Sequence, residues 1–221
     1  MNYQETFTFL KKLKENNTKE WFDANRKQYE VVKKDFNTYI KTLLTDIQKW
    51  DKDIIGLEPK NCIFRINRDV RFSKDKSPYK TNIGAAISAG GRKAMAAGYY
   101  IHLEPGNKSF LAGGMHIPEP DVLKKIRQEI DYNYPKFLKI INHKDFKKYF
   151  DTLEGDKLST VPKGYDAKNP AIEYLKHKSY LMVHHIKDAD FKNPDIYKHI
   201  TQVLKAMKPM DDFLNESMAD V

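Results

Sequence analysis

The chain has 221 residues, 40% of them hydrophobic, and its 12 Phe and 13 Tyr suffice to build a core without cross-links. The single cysteine excludes an intrachain disulfide, and no apolar run approaches the roughly 18 residues that a membrane span needs. The formal charge of +9 attracts polyanions in general, but only six of the 39 basic residues are Arg, and most Lys are interspersed with acidic residues. We therefore expect a cytoplasmic protein without a membrane partner, and the N-terminus carries no secretory signal pattern.

Two helices are predicted in the first fifty residues. Phe7, Leu10 and Leu13 share one face of a helix over 3–14, which Asn16 and Asn17 can end. Thr18 can cap the next helix. Its apolar residues recur at steps of mostly three or four over one long stretch, namely Trp21, Phe22, Tyr29, Val32, Phe36, Ile40, Leu43, Ile47 and Trp50.

Strands are predicted next. Apolar residues from Cys62 to Ile66 alternate with Arg65 and Asn67, which predicts a first strand with a buried cysteine. Further strands are expected over 83–88, 99–104, 109–115 and 180–186, with a hairpin turn at Pro105-Gly106-Asn107 between the second and third of these.

Helices return after the hairpin. They are predicted over 120–130, as one or two helices over 134–150, and over 171–178 and 196–214. The chain contains no internal repeat and no linker, so we expect one domain over 1–221. Because strands and helices are segregated rather than alternating, the predicted class is α+β, a mainly antiparallel sheet bracketed by N-terminal and C-terminal helices.

Arginine is concentrated in residues 65–80, which we call the basic segment. Three of the six Arg lie within seven residues, whereas the rest of the chain favours Lys. A guanidinium is a rigid planar fork that suits phosphate or carboxylate. If the first strand persists to Phe72, then Arg65, Asp69 and Arg71 share one face with Asn67, opposite Phe72. Asp69 could then hold a guanidinium in position.

The basic segment is therefore predicted to bind a small molecule that carries phosphate or carboxylate. The candidate ligand-binding residues are Arg65, Arg68, Asp69, Arg71, Lys76, Tyr79 and Lys80. No catalytic residue and no cofactor can be assigned, and whether the protein is an enzyme depends on a reactive group beside the anion site. The oligomeric state is equally open.

Two alternatives remain. The segment could bind nucleic acid, because cationic side chains alternate with Phe72 and Tyr79, although Phe72 is predicted on the apolar face and no nucleic-acid-binding signature is present. Arg and Asp could instead form a purely structural network at a sheet edge.

A metal site is not predicted. His184 and His185 are adjacent in a strand and point to opposite faces, and His102 and His116 are too far apart along the hairpin. The pair Gly113-Gly114 within a strand indicates a close approach by a neighbouring element, with tight packing favoured over a ligand.

The basic segment also resembles a known family. The run Phe64-Arg65-Ile66-Asn67-Arg68-Asp69-Val70-Arg71-Phe72-Ser73-Lys74-Asp75-Lys76-Ser77-Pro78-Tyr79-Lys80-Thr81 is similar to the signature of the bacterial and fungal DUF2461 family, to which no function is assigned. The likeness extends to Asn16-Asn17, Trp21-Phe22, Asn25-Arg26, Gly113-Gly114, Pro118, Arg127, Pro162-Lys163-Gly164-Tyr165 and Asn169-Pro170. The resemblance implies an intracellular α+β fold, and it supplies no reaction, cofactor or catalytic residue.

Overall fold

The computed structural model describes residues 1–218 of the chain. The α-helices in this range are α1 (Tyr3–Glu15), α2 (Lys19–Ala24), α3 (Arg26–Ile47), α4 (Pro59–Cys62), α5 (Pro120–Tyr132), α6 (Tyr134–Ile141), α7 (Lys144–Tyr149), α8 (Ile172–Leu175) and α9 (Ile196–Glu216). The β-strands are β1 (Ile83–Ser88), β2 (Gly98–Leu103), β3 (Ser109–Met115) and β4 (Tyr180–Ile186). Helices at both ends bracket the sheet, so the predicted α+β class is confirmed. Within the described range, no helix combines the length and the apolar character needed to cross a membrane.

The N-terminal helices agree with the sequence prediction except at one break. Thr18 caps α2 as predicted, because its hydroxyl accepts a hydrogen bond from the Trp21 backbone N–H. The single helix predicted over 21–50 is wrong, since Asn25 separates α2 from α3. The Asn25 side-chain amide donates to the Trp21 carbonyl at 2.8 Å and so competes with the helical backbone. Cys62 is buried as predicted, but it lies in α4.

The sheet has the order β1-β2-β3-β4, and every neighbouring pair is antiparallel. The predicted hairpin is confirmed as β2 and β3. Its register places His102 opposite Phe110, while on the other side of β2 His102 faces Gly84. Successive side chains alternate between the two faces of the sheet.

The strand predicted over the alternating residues from Cys62 to Asn67 is wrong, and so is its conditional extension to Phe72. This stretch is irregular, and the basic segment folds back on itself so that Asn67 forms an isolated bridge with Tyr79. Carboxylates of Asp69 and Asp75 each accept a backbone N–H from two residues further along the chain. Such local bonds offer the backbone an alternative to a sheet ladder.

One face of the sheet is covered by α9 and contributes to the hydrophobic core. Gly113 and Met207 mark the contact, because a Cβ added at Gly113 would lie 2.7 Å from the Met207 sulfur. The close approach predicted at Gly113-Gly114 is therefore present, and it is made by protein. The large buried side chains on this face include Ile87, Tyr99, Ile101, Leu111, Tyr180 and Met182.

The other face, which we call the open face, is not covered by a helix within the described residues. Its residues occupy alternate positions of the four strands and include Gly84, Ala86, Tyr100, His102, Phe110, Ala112, Val183 and His185. Several of these residues are small, so the sheet surface is hollow between the aromatic rings. This hollow face positions the candidate site.

Candidate functional site

A cavity of about 460 Å³, which we call the basic cavity, lies between the basic segment and the open face. It is lined by Phe64, Arg65, Arg68, Asp69, Lys80, Asn82, Gly84, Tyr100 and His102. Four of the predicted ligand-binding residues thus line one cavity. The other three, Arg71, Lys76 and Tyr79, lie outside it.

The basic segment is fastened to the N-terminal helices at Tyr79. The Tyr79 backbone N–H donates to the Asn17 side-chain carbonyl at 3.1 Å, and the Asn17 amide donates back to the Tyr79 carbonyl at 2.9 Å. The Tyr79 ring stacks on Phe22 with centroids 3.9 Å apart. Tyr79 therefore anchors the end of the basic segment to the N-terminal helices, beside the cavity.

Arg68 organises the loop that forms one wall of the cavity. Its guanidinium makes an ion pair with Asp75 and donates to the Ser77 carbonyl at 3.2 Å and the Ser73 hydroxyl at 3.3 Å. Hydrogen bonds from Ser77, followed by the one from Arg68, lower the pKa of Asp75 to about 2. Most donors of Arg68 are thus engaged within the protein.

Asp69 pairs with Arg71 on the exposed side of the segment. Arg71 Nε and one terminal nitrogen reach the two Asp69 oxygens at 2.9 and 2.6 Å, a bidentate contact that lowers the pKa of the carboxyl group. Phe72, predicted on an apolar face, is 96% exposed, with the Arg71 guanidinium 5.8 Å from its ring centroid. Lys76 donates to the Val70 carbonyl at 3.0 Å. Arg71, Phe72 and Lys76 therefore lie outside the cavity lining, whereas Asp69 also borders the cavity.

Arg65 and Lys80 are cavity-lining cations that make no ion pair within 4 Å among the described residues, although Asp69, which also lines the cavity, attracts Arg65. Within residues 1–218, neither side chain has a hydrogen bond or an ion pair to a carboxylate, although Lys80 lies 5.3 Å from the Phe64 ring centroid. Burial, followed by repulsion from Arg65, lowers the pKa of Lys80. Two like charges are therefore held near each other at the mouth of a cavity.

A hydrogen-bonded chain of three side chains runs along the outward positions of β2 to the basic cavity. The Tyr100 hydroxyl lies 3.1 Å from His102 Nδ1, and His102 Nε2 lies 3.0 Å from a Glu104 carboxylate oxygen. When Glu104 is ionised it accepts from Nε2–H, so neutral His102 keeps its Nδ1 lone pair for the Tyr100 hydroxyl proton. Burial, followed by the Glu104 charge, raises the pKa of Tyr100. This arrangement can move a proton between Tyr100 and His102 at the cavity floor.

Gly84 leaves the space in which the Tyr100 hydroxyl sits. A Cβ at position 84 would lie 2.8 Å from that oxygen and 2.9 Å from the Ile101 carbonyl. The absence of a side chain at position 84 therefore keeps the hydroxyl at the surface of the basic cavity. The His102 ring is fixed from the other side, stacked on Phe110 with centroids 4.6 Å apart.

A second cavity, of about 780 Å³, continues across the open face, and we call it the apolar groove. Phe64 and Tyr100 line both cavities. The remaining apolar lining includes Ala86, Met95, Ala96, Phe110, Ala112, Leu181 and Val183, while Ser88, Arg92, His116, Glu154 and His185 add polar groups.

Tyr100, His102 and Glu104 were missed by sequence reasoning. Their spacing of two along a predicted strand was a usable signal, because it places three interacting side chains on one face.

The histidines were considered in the sequence as metal ligands, and His102 was paired with His116 for that purpose. In the described part of the chain no three His, Cys, Asp or Glu side chains converge on a metal position. His184 contacts His199, with 2.9 Å between their Nε2 atoms.

The fold and the site thus describe an α+β protein that carries a cationic cavity on the uncovered face of an antiparallel sheet. The chain matches the family model described as "Conserved hypothetical protein (DUF2461)" over residues 5–213 of 221. Since the match covers nearly the whole chain, the protein belongs to the DUF2461 family, and the resemblance noted in the basic segment is confirmed. Searches of the curated proteins and of the solved structures each find no match.

Proposed function

We propose that the protein binds a small molecule carrying a phosphate or carboxylate group in the basic cavity, and we expect it to do so in the cytoplasm. The observation that carries this proposal is the pair Arg65 and Lys80, which border the basic cavity and make no ion pair within 4 Å among the described residues, although the nearby Asp69 carboxylate attracts Arg65. Of the seven predicted ligand-binding residues, Arg65 and Lys80 are the two proposed to contact the anion. Arg68 and Asp69 shape the wall, and Arg71, Lys76 and Tyr79 support the segment from outside the cavity.

An anion between Arg65 and Lys80 would replace their mutual repulsion by two attractions. Burial lowers the pKa of Lys80, and a nearby anion would raise it again. Hydrogen bonds to charged groups contribute about 1.5–3 kcal/mol each. The Asn82 side chain at the same cavity adds an uncharged amide donor.

The enzymatic form of the proposal is acid–base chemistry on the bound ligand. Tyr100 borders the same cavity as the two cations, and its hydroxyl is hydrogen-bonded to His102 at 3.1 Å. A proton taken from the ligand by the Tyr100 oxygen is balanced by transfer of the Tyr100 proton to His102 Nδ1. The resulting imidazolium is stabilised by Glu104, and the negative charge left on the ligand is stabilised by Arg65 and Lys80.

The test is a titration with inorganic phosphate, followed by NMR or calorimetry, of the wild type and of the variants R65M and K80M. Loss of one charge-assisted hydrogen bond is expected to raise Kd roughly 10- to 100-fold. K76M is the matched control, because Lys76 belongs to the same segment but lies outside the cavity and donates to the Val70 carbonyl. Phosphate that binds R65M, K80M and K76M equally well, or that does not bind the wild type, contradicts the proposal.

Nucleic acid is the second candidate, and Phe72 is the observation that favours it. The sequence argument against nucleic acid placed Phe72 on an apolar face, whereas the ring is 96% exposed beside Arg71. Exposed rings among cations are a stacking platform for single-stranded nucleic acid. This candidate requires that a mixed-sequence oligonucleotide binds tightly and that its affinity falls steeply as salt is added. F72A should weaken this binding and leave phosphate binding in the basic cavity unchanged.

A further inference from the structure

We propose that the ligand is an amphiphilic organic anion, with its charged group between Arg65 and Lys80 and its apolar body in the apolar groove. This inference rests on the proposed function and adds the chemical class of the uncharged part of the ligand. A ligand that consists of the charged group alone would leave the groove unused.

The two cavities are adjacent. Phe64 and Tyr100 line both, and their rings meet edge to face with centroids 6.1 Å apart. The Tyr100 ring therefore forms the boundary that a ligand would cross on its way from the charged end to the apolar end. Each volume, about 460 and 780 Å³, falls within the range of small-molecule sites.

The floor of the groove suits an apolar body. The strand registers place Ala86, Tyr100, Ala112 and Val183 in one row across the sheet. Because neighbouring strands lie about 4.8 Å apart, this row is roughly 14 Å long. It contains no charged side chain, and the ring of Tyr100 offers its own apolar surface to a neighbour.

The charge distribution gives the ligand its direction. Arg65 and Lys80 lie beside Tyr100, in the half of the sheet formed by β1 and β2, and no cation belongs to the row itself. Arg92, which lines the groove elsewhere, donates to the Lys60 carbonyl. One anionic end followed by an uncharged body therefore fits both halves, whereas a ligand charged along its whole length would place charge on alanine and valine.

The probes for a direct test are inorganic phosphate, butyl phosphate and octyl phosphate below its micellar concentration, titrated into the full chain. The three share the anionic group and differ only in apolar length. Each methylene that becomes buried is expected to lower Kd about fourfold. We therefore expect octyl phosphate to bind at least about tenfold more tightly than butyl phosphate.

The variant A112F fills the middle of the row and is expected to remove most of this chain-length gain while leaving the Kd of inorganic phosphate unchanged. V31F is the matched control, since Val31 lies on α3 and is 50% exposed away from the groove. If A112F fails to fold, as judged by its thermal melt, V183D supplies the same test from the other end of the row.

The outcomes separate this inference from the proposed function. If inorganic phosphate binds but octyl phosphate binds no more tightly, the amphiphilic ligand is refuted and the anion site stands. If A112F weakens all three probes equally, the groove is not a separate subsite and the inference fails. If none of the probes binds, the proposed function fails and the inference with it.

Discussion

Replacement of Gly114 by alanine should be among the most damaging small changes in the sheet. Gly114 has a φ of +104°, and a Cβ there would lie 2.0 Å from the Tyr180 carbonyl oxygen of β4. Forcing a non-glycine residue into such a conformation costs about 1–3 kcal/mol. The clash must also open the pairing of Gly114 with Leu181, and each buried backbone group left without a partner costs about 1–3 kcal/mol. We expect a total loss of roughly 3–4 kcal/mol.

The assay is thermal and urea unfolding of G114A beside G164A. Gly164 has a similar φ of +94° but nothing within 4 Å of its added Cβ, so G164A carries only the conformational cost of about 1–2 kcal/mol. For a chain of this size, 1 kcal/mol shifts Tm by about 2–4 °C. G114A should therefore lower Tm by roughly 6–16 °C and G164A by about 2–8 °C, with G114A always the larger. Equal losses in the two variants would refute the close backbone approach between β3 and β4.

Two further predictions concern stability. D211N should raise the free energy of unfolding at pH 8 but not at pH 3. Burial, with smaller effects from Asp212 and Asp51, raises the pKa of Asp211, so the wild type loses stability as pH rises above the ordinary carboxyl pKa. Urea titrations that show the same difference between variant and wild type at both pH values would contradict this reasoning. N17A should lower the free energy of unfolding by about 1–3 kcal/mol, because it leaves both backbone groups of Tyr79 without their partner. N16A, which removes one exposed hydrogen bond at a helix end, should lower it less in the same urea titration.

Regular periodicity predicted most of the fold. The hairpin, β1, β4 and the two terminal helices all follow patterns of two or of three to four residues, and the structure contains each of them. The errors fall where side chains compete with the backbone. Asn25 interrupts a continuous apolar stripe, and an alternating pattern near Ile66 belongs to a loop stabilised by its own carboxylates.

The position of the candidate site was predictable in part. The density of Arg and Lys located the basic segment, and Asp69 does hold a guanidinium, that of Arg71. Which charges face the cavity was not predictable, because period-two parity does not apply to an irregular loop. The contribution of β2 was not predictable for a different reason. Tyr100 and His102 share the cavity with a segment that lies 20 to 37 residues earlier in the chain, and only the folded sheet brings the two together.

The composition of the sheet supports a functional role for its open face. Glycine and alanine are poor strand residues because they bring little side-chain surface to pack, and on the covered face Gly113 is explained by the Met207 side chain that fills its place. Ala86 and Ala112 on the open face have no such helix above them within the described residues. The small side chains there lose packing that larger ones would supply. They leave a hollow beside two cations, Arg65 and Lys80, that make no ion pair within 4 Å among the described residues. A ligand surface accounts for both features, whereas a purely structural network of Arg and Asp explains only Arg68 and Arg71.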